Sequence, residues 1–161
     1  MIIQIVGYKK SGKTTLMSHT IQQLKLNNYT VVTIKHHGGE HDNQLQDIKL
    51  QSAEVDHMKH FEAGADQSIV QGVNYQQTVS RSPKQTLTEI IRKSVTIDTN
   101  IILVEGYKDA TFPKVVVYRD TDELKQLNQL TNIKYRINLD DQQALAQYDK
   151  WLLAYIQEGM K

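Results

Sequence analysis

Residues Gly7-Tyr8-Lys9-Lys10-Ser11-Gly12-Lys13-Thr14 carry the spacing Gly-x-x-x-x-Gly-Lys-Thr, after an apolar run and before a helix-forming stretch. That spacing suits phosphate chemistry. Glycines let the backbone curl until successive N–H groups converge on phosphate oxygens, and the positive end of the following helix adds to the attraction. Lys13 is then placed to reach β and γ oxygens, and the Thr14 hydroxyl to ligate magnesium. A plain strand–turn–helix corner is the competing reading. The full motif in this context favours a nucleotide site.

Such a loop needs an acidic residue at the end of a neighbouring strand to complete the magnesium shell. Glu105 follows the apolar run Ile101–Val104 and is the expected residue, against the plainer reading of a solvated turn. Gly106 leaves backbone room beside it, and Lys108 is placed to meet a phosphate or an acidic partner. The cluster Lys35-His36-His37-Gly38-Gly39-Glu40-His41-Asp42 has three readings: a metal site using His36 or His37 with His41 and Asp42, a loop near the phosphates, or a solvated loop. Its glycines give the side chains no fixed face and there is no cysteine to complete a soft ligand set, so the phosphate-proximal loop is favoured. His57 and His60 read as surface residues. No Asn is followed by Lys, so the Asn-Lys-x-Asp element of many guanine-binding proteins is missing and the residues do not name the base.

The elements that must position these residues follow from periodicity. Met1–Val6 reads as a buried strand, Lys13 to about Leu26 as a helix and Thr30–Lys35 as a second strand, which together form a βαβ unit. His36–Ser52 shows no period and reads as a long loop of the kind that is often functional. Glu54–Ala63 reads as a short helix burying Val55 and Met58, with Gly64 past its end. Gln67–Val73 and Tyr75–Val79 are strand candidates. Ser82-Pro83-Lys84-Gln85 predicts a helix start, with Leu87, Ile90 and Ile91 as its buried stripe. Asn100–Val104, Lys114–Tyr118 and Ile133–Ile137 read as strands. Asp140 or Asp141 is placed to cap a final helix that buries Ala144, Leu145, Tyr148, Trp151, Leu152, Tyr155 and Ile156. The expected fold class is α/β: a P-loop NTPase-type domain over residues 1–161, its mostly parallel sheet flanked by helices and carrying extra strands.

Composition excludes several classes. The 161 residues suffice for one buried core. The apolar share of 39% is below the typical ~45–50%, consistent with an amide-rich surface. Lys and Arg number 19 against 18 Asp and Glu, with no basic half, so a general nucleic-acid-binding face is not expected. Zero cysteines exclude disulfides, a thiolate zinc site and a cysteine nucleophile. No apolar run approaches the ~20 residues that span a bilayer, and the N-terminus does not read as a signal peptide. A cytoplasmic location without membrane contact is the expectation.

At this point the chain resembles the molybdopterin-guanine dinucleotide biosynthesis protein B family. The likeness rests on the ordered stretches GYKKSGKTTL (7–16), IKHH (34–37), Asp56 followed by HFEAGA (60–65), LVEGYK (103–108) and PKVVVYR (113–119). It implies a dimeric P-loop protein that binds GTP with magnesium, hydrolyses it weakly, and assists the guanylyltransferase that attaches GMP to molybdopterin. Molybdopterin itself is a further candidate ligand. The resemblance implies nucleotide contacts at Gly7, Tyr8, Lys9, Lys10, Ser11, Gly12, Lys13, Thr14 and Thr15, and adds Lys35, His36, Asp56, Glu105 and Lys108 as site candidates. Family members often carry Gly-Lys-Asp-Ser/Thr where this chain has Glu54-Val55-Asp56-His57, so only the Asp carries over.

A small-molecule kinase is the alternative. Kinases of this size close an arginine-bearing lid over the transferred phosphate, and residues 36–52 contain no arginine. A nucleic-acid-dependent NTPase lacks its basic face. With no residue assigned to orient water and no arginine assigned to the γ-phosphate, slow hydrolysis is expected. The strand-rich stretches Pro113–Tyr118 and Gln67–Val79, together with the family likeness, suggest a symmetric homodimer.

Overall fold

The computed structural model describes residues 1–37 and 47–161, and their backbone divides into two compact units. The first joins Met1–His36 to Ile91–Lys161. Its sheet has five strands in the order β2-β5-β1-β6-β7: β1 Ile2–Val6, β2 Val31–Lys35, β5 Ile101–Glu105, β6 Lys114–Val117 and β7 Ile133–Ile137. All four pairings are parallel. Central strands of a parallel sheet are covered on both faces and so read as continuous apolar runs. IILV of β5 and VVV of β6 are such runs, IIQIV of β1 is one apart from Gln4, and β5 and β6 are buried throughout.

Side chains alternate between two cores. Ile3, Ile5, Leu103, Val115 and Val117 pack with helix α1 (Lys13–Leu26) and helix α5 (Ala144–Gly159) through Leu16, Leu24, Tyr148, Leu152 and Ile156. Val6 and Val116 point the other way, onto Leu127 of helix α4 (Thr121–Leu127). The α/β class and the mostly parallel, helix-flanked sheet are as the sequence predicts.

The second unit, His37–Ile90, holds helix α2 (Asp56–Glu62) and an antiparallel pair, β3 Gln67–Gln71 with β4 Gln76–Ser80. Met58 and Phe61 are buried, and Ser68 Oγ donates to the His57 carbonyl at 2.8 Å, tying β3 to the helix. Gly64 takes φ +116 just past the helix, the left-handed position expected of it. Arg81 lies over the Phe61 ring at 4.3 Å and donates to the Phe61 carbonyl at 2.8 Å.

Several local expectations are corrected. Helix α3 spans Leu87–Ser94 and does not begin at Ser82. Thr86 and Glu89 form the reciprocal cap: the Thr86 N–H donates to Glu89 Oε2 at 2.9 Å and the Glu89 N–H to Thr86 Oγ1 at 3.3 Å. Ser82 is instead occupied by Gln85, whose amide donates to its hydroxyl. Val55 precedes α2 as an exposed residue, so Met58 pairs with Phe61 in the core. Neither Asp140 nor Asp141 caps α5. Gln143 holds the cap position at φ 64, and Asn138 Oδ1 takes the Asp140 N–H at 3.0 Å. Leu145 is exposed. Helix α4 was not expected; Asp120 caps it by accepting from the N–H groups of Asp122 and Glu123. The pattern Asp120-x-x-Glu123 is the sequence signal for it. Lys114–Val117 is no spare strand, since β1 and β7 pair both its edges.

Candidate functional site

The site begins where β1 ends. Gly7 leaves no room for a side chain: a Cβ there would lie 2.4 Å from the Val117 carbonyl oxygen and 2.6 Å from Ser11 Oγ. The loop then closes with the Ser11 N–H on the Tyr8 carbonyl at 3.2 Å, passes Lys10 at φ 64, and enters α1 through Gly12 at φ +91. A side chain at Gly12 would meet Leu139 at 2.5 Å. Among the described residues no side chain caps α1, and no acid occupies its first turn. Its first N–H groups therefore lack the usual capping oxygen, and helix N-termini in that state attract anions.

A cleft of about 450 Å³ opens over this turn. Lys9, Lys10, Lys13, Thr14 and Thr15 line it with Gly12, and Lys35 and Glu105 complete the wall. Among the described residues, four ammonium groups face one carboxylate in a chain whose net charge is only +1, so positive potential is concentrated here. Lys13 Nζ donates to the Tyr8 carbonyl, which folds the lysine over its own loop. Ser11 is buried, and Ser11 Oγ has no hydrogen-bond partner among the described residues.

Strand register brings the remaining groups together. Glu105 ends β5 and pairs across the sheet with Ile5 on one side and Lys35 on the other. Its buried carboxylate faces Thr14 Oγ1 at 3.3 and 3.5 Å, and Lys35 Nζ lies 3.0 Å from Glu105 Oε1. A hydroxyl and a carboxylate converging beside a phosphate loop are hard oxygen donors, the set magnesium prefers. Thr14 and Glu105, the two residues the sequence offers as magnesium ligands, thus lie side by side.

The turn after Glu105 is held in an unusual shape. Gly106 and Tyr107 are consecutive left-handed residues, at φ 92 and φ 54. Gln4, fully buried on β1, donates its amide to both carbonyls, at 3.0 and 2.8 Å. Burial raises the ionisation of the Tyr107 hydroxyl above the ordinary tyrosine value. His36 packs against Tyr107 with the rings tilted by 40° and their centres 4.6 Å apart, and Lys108 Nζ sits 4.3 Å over the Tyr8 ring. Tyr8 donates to Gln126 on α4 at 2.5 Å.

Asp56 belongs to the second unit, where its exposed carboxylate pairs with Lys59 at 3.0 Å. His41 and Asp42, offered as metal ligands with His36 or His37, lie outside the described residues. Among the described residues, no three His, Asp or Glu side chains gather to hold a metal. His60 is exposed and His57 half-buried, bonded to Gln51. Sequence reasoning missed Gln4, Tyr107, Gln126 and Leu139. Gln4 was legible as the polar residue inside IIQIV, whereas the other three act through long-range contacts that leave no local pattern.

The sequence pattern of molybdopterin guanine dinucleotide synthesis protein B matches residues 2–137. A Bacillus subtilis protein described as a probable molybdopterin-guanine dinucleotide biosynthesis adapter protein is 32% identical over 132 residues, covering 82% of this chain and 72% of its own. The Haemophilus influenzae adapter protein of the same description is 29% identical over 119 residues, 73% of this chain and 63% of its own length. Among solved structures, a MobB homologue from Bacillus stearothermophilus superposes with a TM-score of 0.74 at 27% identity, covering 98% of both chains.

Proposed function

The chain belongs to the molybdopterin guanine dinucleotide synthesis protein B family, and from that premise we propose that it is a GTP-binding adapter in molybdopterin guanine dinucleotide synthesis. The observation that carries the nucleotide is the lysine-lined cleft over the uncapped start of α1, with Thr14 and Glu105 converging on its floor. Lys13, Lys9 and Lys10 neutralise phosphate oxygens, and the backbone from Gly7 to Thr15 cradles them. Thr14 and Glu105 would hold magnesium, which supplies charge withdrawal from the β and γ phosphates. Guanine is chosen because the relatives are described by a guanine dinucleotide.

The proposed partner is the guanylyltransferase that attaches GMP to molybdopterin, with molybdopterin itself as a candidate ligand of the complex. Residues 1–161 act as one cytoplasmic nucleotide-binding domain; among the described residues, no helix is long and apolar enough to cross a membrane. Hydrolysis is slow in the isolated protein. The described cleft wall has lysines and no arginine, and an arginine finger is worth ~10³–10⁵ in rate. The protein is also a homodimer. The two-stranded β3–β4 sheet has unpaired outer edges and leaves Ile69, Val73 and Tyr75 exposed, and an exposed apolar sheet edge is a ready surface for pairing with a second chain.

The deciding experiment is calorimetry of GTP against ATP, with and without magnesium, followed by steady-state hydrolysis alone and with the guanylyltransferase. Magnesium-dependent preference for GTP and turnover far below the ~10 s⁻¹ enzyme median, rising in the complex, are expected. Turnover near that median for the isolated protein, or phosphate transfer to a small acceptor, overturns the adapter reading. Light scattering that returns 18.5 kDa, the mass of one chain, overturns the dimer.

A further inference from the structure

Lys35 stands where a cation belongs. Its ammonium lies 3.0 Å from Glu105 Oε1, on the carboxylate that Thr14 also faces, and it lines the same cleft as Lys13. The two partners differ in freedom. The Glu105 side chain is 10% exposed and pinned by its strand, whereas that of Lys35 is 58% exposed. Register places them together: Lys35 and Glu105 are cross-strand partners at the ends of β2 and β5. A buried carboxylate without a positive neighbour is costly, so the fold supplies one from the adjacent strand.

We propose that Lys35 is a resident counter-ion for Glu105, exchanged for the divalent cation when a metal-bound nucleoside triphosphate enters. This deepens the nucleotide reading of the site and rests on it. In the nucleotide-free protein the ammonium neutralises Glu105 and the Thr14 hydroxyl donates to the same carboxylate. On entry of the metal-bound nucleotide, Glu105 and Thr14 turn their oxygens to the metal, and the half-exposed lysine swings to the phosphate oxygens across the cleft. The carboxylate keeps a positive neighbour throughout, since the ammonium (+1) leaves as a divalent cation (+2) arrives, and the ammonium finds new negative charge on the phosphates. The exchange makes divalent-cation binding weak until phosphate is present to receive the displaced ammonium. Lys35 thus acts as a positioning residue that couples metal binding to nucleotide binding.

The test is titration of nucleotide-free protein with Mn²⁺, followed by electron paramagnetic resonance, for wild type, Lys35→Met, Lys35→Arg and the double variant Lys35→Met/Glu105→Gln. A charged neighbour within ~4–6 Å alters the proton affinity of a carboxylate by roughly 10–1000-fold, and a metal ion meets the same field. Lys35→Met should therefore bind Mn²⁺ at least about tenfold more tightly than wild type. Lys35→Arg should behave as wild type, and the double variant should lose the gain. Lys35→Met no tighter than wild type overturns the proposal, whether both bind or neither does. A gain that survives Glu105→Gln also overturns it, because the metal is then elsewhere. No step uses GTP, so a protein that shows this Mn²⁺ pattern but fails to bind GTP refutes the nucleotide assignment alone.

Discussion

Helix α1 serves two regions of opposite character. At its N-terminus lies the cleft, where Lys10, Gly12, Gly106 and Tyr107 all take positive φ and the buried Ser11 Oγ and Gln4 Oε1 are without hydrogen-bond partners among the described residues. Along its length lies the seam with α5, where polar groups are matched. Thr20 Oγ1 donates to the Leu16 carbonyl at 2.7 Å and meets the buried Tyr148 hydroxyl at 2.8 Å, while His19 pairs with Asp149 at 2.7 Å. Tyr135, Trp151 and Tyr155 extend the seam as stacked rings, with centres 4.6 and 5.1 Å apart. Strained or unmatched groups persist only where surrounding structure overdetermines them. The seam therefore supplies rigidity, and the cleft keeps polar capacity for a ligand.

The largest expected effect tests the seam. Tyr148→Ala empties a fully buried site in the main core and should cost ~3–5 kcal/mol in denaturant unfolding. Nucleotide affinity of the remaining folded protein should hold, and a large affinity loss would break the division between the regions. Next comes the cleft itself. Lys13→Ala should weaken triphosphate binding by ~1.5–3 kcal/mol, the worth of a charge-assisted contact. Lys25→Ala, which removes an exposed ammonium bonded to the Tyr29 carbonyl, should change little. Equal affinities by calorimetry would remove the phosphate assignment.

Gly106→Ala sharpens the comparison further. The new Cβ would sit 3.0 Å from that of His36 at φ +92. A left-handed L-residue costs ~1–2 kcal/mol, and the tilt of the turn should loosen magnesium-dependent nucleotide binding more than magnesium-free binding. Equal losses in both conditions would show that the turn does not position Glu105.

The smallest effect is pH-linked. Burial pushes the ionisation of Tyr148 up from its ordinary value of 10.0, with the Thr20 hydrogen bond opposing less strongly. Because the folded-state value is the higher one, the contribution is complete below the ordinary value and is lost as pH rises above it. Tyr148→Phe should cost ~1 kcal/mol near neutrality and give a flatter stability profile above about pH 10. Tyr135 and Tyr155, also raised by burial, remain in both proteins and set the common background. Identical alkaline slopes would contradict the matched seam.

The glycine loop at Gly7–Gly12, the helix after it and the parallel strands were legible because each is a contiguous pattern. Glu105 was legible as the acid ending an apolar strand. The failures came where two local signals competed. Ser82-Pro83 and Thr86-x-x-Glu89 both announce a helix start, and the reciprocal pair at Thr86 prevailed because it satisfies two backbone donors. The last helix was placed on the right face, but its cap was misassigned because Asn138 organises the preceding turn through side-chain bonds that composition does not reveal.

By itself the sequence determined the strand–loop–helix corner at Gly7–Thr14, since its glycines act locally on the backbone, and it determined the α/β class through hydrophobic periods. Only the tertiary structure decided that Lys35 neutralises Glu105, that Gln4 holds the Gly106–Tyr107 carbonyls, and that Leu139 closes on Gly12. Each of these joins strands or loops far apart in the chain. The physical reason is register: which side chains meet at the end of a parallel sheet depends on strand order and on how each strand slides against its neighbour. Both are set by packing of the whole core.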